Sequence, residues 1–468
     1  MLLFLLACDP SLSVSHDGLA VDADTGLGPL SEGLSLARGT QGTTTSDAML
    51  AGPGTGARLG SSLLLLGDGD GDGLPDVLAA GLAETAQDRL DGGAWLSRGH
   101  GYGRGSVASS ADLELEGAAG SLTGWSMCRG DLDGDGQQDL ALGAPQHSAS
   151  APWAGALFVV PEASLGGGSI NAFATAKVTG QEHHDRLGQA LACGDVDGDG
   201  FTDLLVGAPG RDKGSTADAG VTYLLTGPLS AGTSLTGAVQ LGGRWPFDRS
   251  GQSLLAADLD GDGFEDVVLG NPSEGTGGAV YVVRGSTSPA SVRLWSADHR
   301  LQESKPDAEA GASLAVGDLD ADGYVDLVVG APGRSDSGEV LGIYGPLPSS
   351  MQLASADFRW RGLASGDRFG QSLALVDLDA DGGADLVVGS PLSGDGDSGS
   401  VFVFLGAASG TSTAWSADAR VRGAQDGDFL GRSLAATEAS VESSGLLAIG
   451  APGGAKGDKG LVVLYEIP

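Results

Sequence analysis

The chain has 468 residues, with 61 acidic against 25 basic side chains and a formal net charge of −36. That balance argues against nucleic acid or an anionic membrane surface as a partner and suits a protein that collects cations. Hydrophobic residues make up 41 %, enough for a real core, and 82 glycines without a collagen period call for many tight turns.

The chain opens on an apolar run, MLLFLLAC. Its residues Leu5-Leu6-Ala7-Cys8 resemble the lipobox of bacterial lipoproteins, which implies acylation at Cys8. No Lys or Arg precedes the run, and it is shorter than an ordinary signal core. Residues 1–8 are thus expected as a lipoprotein-like signal and residues 9–45, rich in Gly, Ser and Asp, as a flexible tether. Elsewhere no apolar stretch reaches 18 residues, so no membrane-spanning helix is expected.

From residue 46 to 468 the chain repeats itself. Acidic nine-residue segments start at Asp68, Asp131, Asp195, Asp258, Asp318 and Asp377, separated by 63, 64, 63, 60 and 59 residues. Each precedes a short apolar run, and five of these runs end in Gly-x-Pro, as in Gly207-Ala208-Pro209. A glycine stands about eight residues before each segment, as in Leu187-Gly188 and Phe369-Gly370. A seventh unit, 429–453, keeps the frame (Gly431, Gly450-Ala451-Pro452) and lacks the acids. Units begin near 59, 124, 187, 250, 311, 369 and 430.

Within a unit the pattern reads as four short strands, the second apolar at nearly every position, as when both faces are covered. Four strands repeated seven times predict an all-β fold, a seven-bladed β-propeller of four-stranded blades. A solenoid would need polar caps at its ends. Here the last unit lacks a fourth strand and a surplus one precedes the first, so residues near Met49–Ala51 are expected to complete the last blade and remove the open edge. Cys128 and Cys193 stand three and two residues before their acidic segments, so they should face opposite ways on their strands and stay free, buried thiols.

The acidic segments carry aspartate at positions 1, 3, 5 and 9 with glycine at 6. They are Asp68, Asp70, Asp72 and Asp76; Asp131, Asp133, Asp135 and Asp139; and Asp195, Asp197, Asp199 and Asp203. Then follow Asp258, Asp260, Asp262 and Asp266; Asp318, Asp320, Asp322 and Asp326; and Asp377, Asp379, Asp381 and Asp385. An EF-hand would need glutamate at position 12, which here is an apolar strand residue such as Val206 or Leu269. The carboxylates together with the main-chain carbonyl of position 7 (Leu74, Gln137, Phe201, Phe264, Tyr324 and Gly383) can wrap a Ca²⁺ within one hairpin turn. Without an ion, carboxylates about 5 Å apart repel by roughly 3 kcal/mol per pair at an effective dielectric near 20. About six structural calcium ions that stiffen the hairpins are expected, and no other cofactor.

Glycine-led first strands, DLDGDGFED-type loops and GAP endings at this spacing resemble FG-GAP repeats, which form the seven-bladed propeller of integrin α subunits and of many bacterial envelope proteins. The resemblance spans residues 47–468 and implies that the aspartates at positions 1, 3, 5 and 9 are calcium ligands. Integrin α subunits carry such loops in only some blades, so six is a departure toward the bacterial pattern. The chain stops after the seventh unit, so integrin function as such is not expected.

Propeller topology puts the 1–2 loops, which hold the acids, on one face and the 2–3 and 4–1 loops on the other, where integrin ligands also bind. That second face should carry His147, Trp153, His183, His184, Arg211, Lys213, Arg244, Trp245 and Arg334. Basic and aromatic side chains gathered on an acidic protein suit an unidentified extracellular protein or an anionic or carbohydrate ligand. The Gly-Asp-Ser-Gly at 396–399, a protease-like motif, reads as a 2–3 turn because Ser335–Gly338 falls at the same place in the unit before. First strands such as Ser253–Asp258 are small and apolar, which argues against catalysis in the central channel. The expectation is a monomeric, non-catalytic binding or adhesion module of the cell envelope or extracellular space, tethered at the membrane only if Cys8 carries lipid. The alternative is a propeller enzyme acting on polysaccharide or another extracellular substrate.

Overall fold

Seven glycine-led units give seven antiparallel sheets. The structure is a computed structural model that describes residues 19–21, 48–52, 56–69, 71, 73–81, 92–97, 104–106, 113–165, 167–214, 216–406, 409–423, 425–437, 445–454 and 459–467. Cys8 lies outside them, as does the expected tether apart from 19–21; so do Asp70 and Asp72. The third blade shows the common plan: Leu191–Gly194, Asp203–Ala208, Val221–Leu225 and Val239–Gly242 pair in chain order. Its second strand is buried at every position, and so are the second strands of the other blades. A neighbouring sheet covers each of their faces, so alternation has no role there.

The blades pack face to face through seven apolar clusters, one per junction. The cluster between the last and first blades joins Leu446, Ala448, Val462 and Leu464 to Leu59, Val77 and Trp95, so the ring is closed. Ala48–Ala51 pairs antiparallel with Leu461–Ile467, Leu50 opposite Val462, and supplies the fourth strand of the last blade as expected. Serine hydroxyls near the start of the first strands reinforce the circuit. Ser126 donates to the Gly188 carbonyl of the next blade at 2.9 Å, and Ser433 donates to Gly60 at 2.8 Å across 373 residues.

The repeat's two signature glycines have one physical cause. A Cβ on Gly207, of the GAP ending, would sit 2.1 Å from the carbonyl oxygen of Gly251, which leads the next blade with φ +90°. Backbone meets backbone across the blade junction, and the leading residue sits in the left-handed region that favours glycine.

Two features depart from the expected plan. Among the described residues, six blades carry a fifth outer strand. In five of them it comes from the connection between strands three and four of the following blade and pairs parallel, as Val292–Arg293 does beside Val239–Gly242. In the sixth blade the outer strand is Leu19–Val21, paired antiparallel with Ala419–Gly423, so three residues of the expected tether lie on a sheet edge.

The second departure corrects the reading of the cysteines: Cys128 and Cys193 form a disulfide with Cα atoms 5.7 Å apart. They do face opposite sides of their own sheets. In a toroid, however, one side of a blade packs on the opposite side of the next, so opposed side chains on adjacent first strands meet. Both residues belong to the junction between the second and third blades.

Candidate metal centres and the opposite face

Each acidic loop is folded by its own carboxylates. The position 1 side chain accepts hydrogen bonds from two backbone N–H groups further along. Asp195 accepts from Gly198 at 2.7 Å and Gly200 at 3.0 Å, and Asp258 accepts from Gly261 at 2.7 Å and Gly263 at 2.9 Å. Asp131 repeats the arrangement, Asp318 and Asp377 accept from positions 5 and 6 (Asp322 and Gly323, Asp381 and Gly382), and Asp68 accepts from Gly71 and Gly73 at 2.7 Å each. Position 7 N–H groups close the turn onto position 5, as from Phe201 to Asp199 at 2.9 Å.

Position 9 has a second task that the spacing did not disclose. It opens the buried second strand, and Asp203 is fully buried. One of its oxygens accepts from the Val196 N–H at 3.0 Å, the other from Gly227 at 2.8 Å, where the chain leaves strand three. Asp266, Asp326 and Asp385 make the same pair of bonds, with Gly285, Gly345 and Gly406 as second donors. An acid at the mouth of an apolar strand needs such donors, and that was the available signal.

These side chains converge. Oxygens of Asp131, Asp133 and Asp139 lie within 4.8 Å of one another; so do those of the 195/197/199, 258/260/262, 318/320/326 and 377/379/385 trios. Desolvation pushes Asp139, Asp203, Asp266 and Asp385 up to about 6, and neighbouring carboxylates add to it. Among the described residues, a buried oxygen of Asp260 and one of Asp379 have no hydrogen-bond partner. Clustered hard oxygens with unsatisfied lone pairs fit a Ca²⁺, which takes six to eight oxygen ligands; Mg²⁺ demands a tighter octahedron.

Neighbouring loops also touch. The position 8 N–H of Thr202, Glu265 and Ala384 donates to the position 1 carbonyl of the preceding blade, Asp131, Asp195 and Asp318, at 3.3, 3.0 and 2.8 Å. The Phe201 and Phe264 rings cover Gly134 and Gly198 of those preceding loops, leaving no room for a Cβ.

On the other face the nine residues singled out from sequence divide into three groups. His147 and Arg334 are buried, at 8 % and 5 % exposure, and cannot form a contact surface. His147 packs edge-on against Phe158, and Arg334 pairs with buried Glu303 and Glu339. Arg211, at the same register after GAPG, pairs with Asp185 at 3.2 Å and Glu182 at 2.9 Å. These two arginines brace the 2–3 loops against the 4–1 loops, and their shared register was the clue to a structural role. Lys213 is half-buried, its pKa lowered by burial and by Arg293.

The remaining residues are exposed in two patches. Trp153 meets His184 edge-on at 5.1 Å, with His183 beside it. Arg244 lies over Trp245 at 4.5 Å and faces Trp295 at 5.7 Å, and both indoles are about half exposed. Trp295, on the outer connection of the fourth blade, was missed because its partner Arg244 is 51 residues away.

Comparison with known proteins agrees with this geometry. The model of the FG-GAP repeat family matches residues 123–160, 187–225, 250–283, 310–342 and 369–404. Integrin alpha-PS2 of Drosophila melanogaster is 31 % identical over 258 residues, covering 49 % of this chain and 17 % of that protein. Phosphatidylinositol-glycan-specific phospholipase D of Rattus norvegicus is 31 % identical over 226 residues, 44 % of this chain and 26 % of the enzyme. Integrin alpha-V of Gallus gallus is 30 % identical over 224 residues, 46 % of this chain and 20 % of that protein. The match thus spans about a quarter or less of each relative's length. With five matched repeats, seven blades and a closing strand, the chain is an integrin α-like FG-GAP repeat β-propeller.

Proposed function

We propose that this chain is a calcium-stiffened, non-catalytic binding propeller that works outside the reducing cytoplasm. The observation that carries the reading is the recurrence of one oxygen cluster in five described loops, all on the face opposite the exposed Trp153 and Trp245 patches. A feature repeated at the same register in blade after blade suits scaffold, whereas the varied loops opposite suit recognition. The aspartates at positions 1, 3, 5 and 9, with the position 7 carbonyl, would hold Ca²⁺. The ion supplies charge neutralisation and cross-links each hairpin. The Cys128–Cys193 disulfide favours an oxidising compartment such as the cell surface or envelope. The enzymatic activity named for one relative belongs to that protein, of which only a quarter aligns.

Calorimetric titration of the chelated chain with CaCl₂, followed by a glycan and peptide array probed with and without calcium, tests both halves. Heat release, a raised melting temperature and calcium-dependent capture are expected. Binding of no calcium, or turnover of an arrayed substrate, would remove the reading.

A further inference from the structure

The 4–1 loops of all seven blades converge on the axis, at the face away from the acidic loops. Each places one residue in the left-handed backbone region two positions before its leading glycine: Arg58, Leu122, Arg186, Arg249, Glu309, Arg368 and Phe429, with φ between 47 and 57°. Four of the seven are arginine. Two cavities of about 600 and 810 Å³ open there, sharing Arg368, Gln371 and Arg432, so together they form one funnel touched by every blade.

The funnel inverts the chemistry of the molecule. On a chain of net charge −36 it gathers, among the described residues, five guanidinium groups, from Arg58, Arg186, Arg249, Arg368 and Arg432, against two carboxylates, Asp218 and Glu309. Glu309 is engaged by Arg368. Among the described residues, no ion pair is seen for Arg186, Arg249 or Arg432. Arg432 is open to solvent through the funnel yet walled in by protein, and burial together with Arg368 lowers its pKa. Like charges gathered in a walled cup set up a local field that attracts anions. Just past the leading glycines, Gln189, Gln252 and Gln371 line the first cavity, each with an amide donor and acceptor. Trp125 and Phe429 give the second cavity flat apolar walls.

We propose that this axial funnel binds an acidic oligosaccharide, its carboxylate or sulfate groups held by the arginines, its hydroxyls by the glutamines and its ring faces by Trp125 and Phe429. The proposal deepens the reading of the chain as a binding module and rests on it. Arginine matches the planar, two-oxygen geometry of such anions. Amides and aromatic faces add what a sugar ring offers beyond its charge.

The test is calorimetry of the calcium-loaded chain with tetrasaccharides of hyaluronan, chondroitin sulfate and heparin, which separate carboxylate from sulfate, and with neutral chitotetraose and tetraglutamate. At least one acidic tetrasaccharide should bind, chitotetraose about tenfold more weakly, and added salt should lower the affinity. The Arg186→Gln/Arg249→Gln double variant should weaken binding about tenfold without moving the melting temperature. Arg249→Lys, at an exposed site, is the milder variant should the double one fail to fold, and should retain part of the affinity. No heat from any of the three acidic sugars, equal affinity for chitotetraose, or preference for tetraglutamate overturns the proposal. If an arrayed glycan is captured and responds to Trp245→Ala but not to the arginine variants, the funnel is wrong while the binding-module reading stands.

Discussion

The two faces of this disc are made from one repeat and treat it in opposite ways. On the acidic face the loops are near copies: the position 1 aspartate accepts from the position 6 glycine N–H in blade after blade, and only the seventh unit drops out. On the opposite face the register before the leading glycine holds arginine, leucine, glutamate or phenylalanine. Sameness follows where a loop must satisfy its own buried polar groups. Variety is tolerated where side chains end in solvent or in a cavity.

The sharpest way to break the contrast is to strip divalent ions. If each described cluster holds a calcium with a Kd near 0.1 mM, 1 mM ion contributes about 1.4 kcal/mol per site, roughly 7 over five. Thermal unfolding in excess chelator should show the loss, and an unchanged melting temperature would refute the scaffold role. Next in size is the clasp between the second and third blades. Replacing Cys128 and Cys193 with serine should cost about 4 kcal/mol by the loop-closure argument for 65 residues, read by urea unfolding. The closing strand comes third. Leu50, 2 % exposed, packs in the junction between the last and first blades, and Leu50→Ala should cost about 3 kcal/mol in the same assay. A fall of less than 1 kcal/mol would mean that closure contributes little.

Smaller effects separate the two tasks of the acidic loop. Asp203→Asn puts an amide where Val196 and Gly227 both donate, and should cost about 2 kcal/mol even in chelator. Asp199→Asn, at an exposed position, should change stability only when calcium is present. Equal losses for both variants in chelator would erase the distinction. Smallest of all, Trp245→Ala on the varied face, where the indole is 53 % exposed, should move stability by no more than about 0.5 kcal/mol.

Much of the molecule was legible along the chain. Period, strand order, blade number and closing strand all follow from residues within one unit or from a count of what the two ends lack. The acidic positions were equally plain, because carboxylates recur at one fixed register before each apolar run. What stayed hidden depends on which residues of different units meet. The outer fifth strands form between one blade and its neighbour. Arg211 and Arg334 looked like surface charges until Asp185, Glu303 and Glu339 stood beside them.

The amino-acid order therefore determined the repeating hairpins, since turn glycines, strand alternation and loop carboxylates act over a few residues. The closed ring alone decided that two cysteines on opposite sides of their own sheets would bond, and that arginines spread from Arg58 to Arg432 would share one funnel. The reason is geometric: local chemistry sets where a side chain points relative to its own strand. Only the rotation from blade to blade brings such directions together.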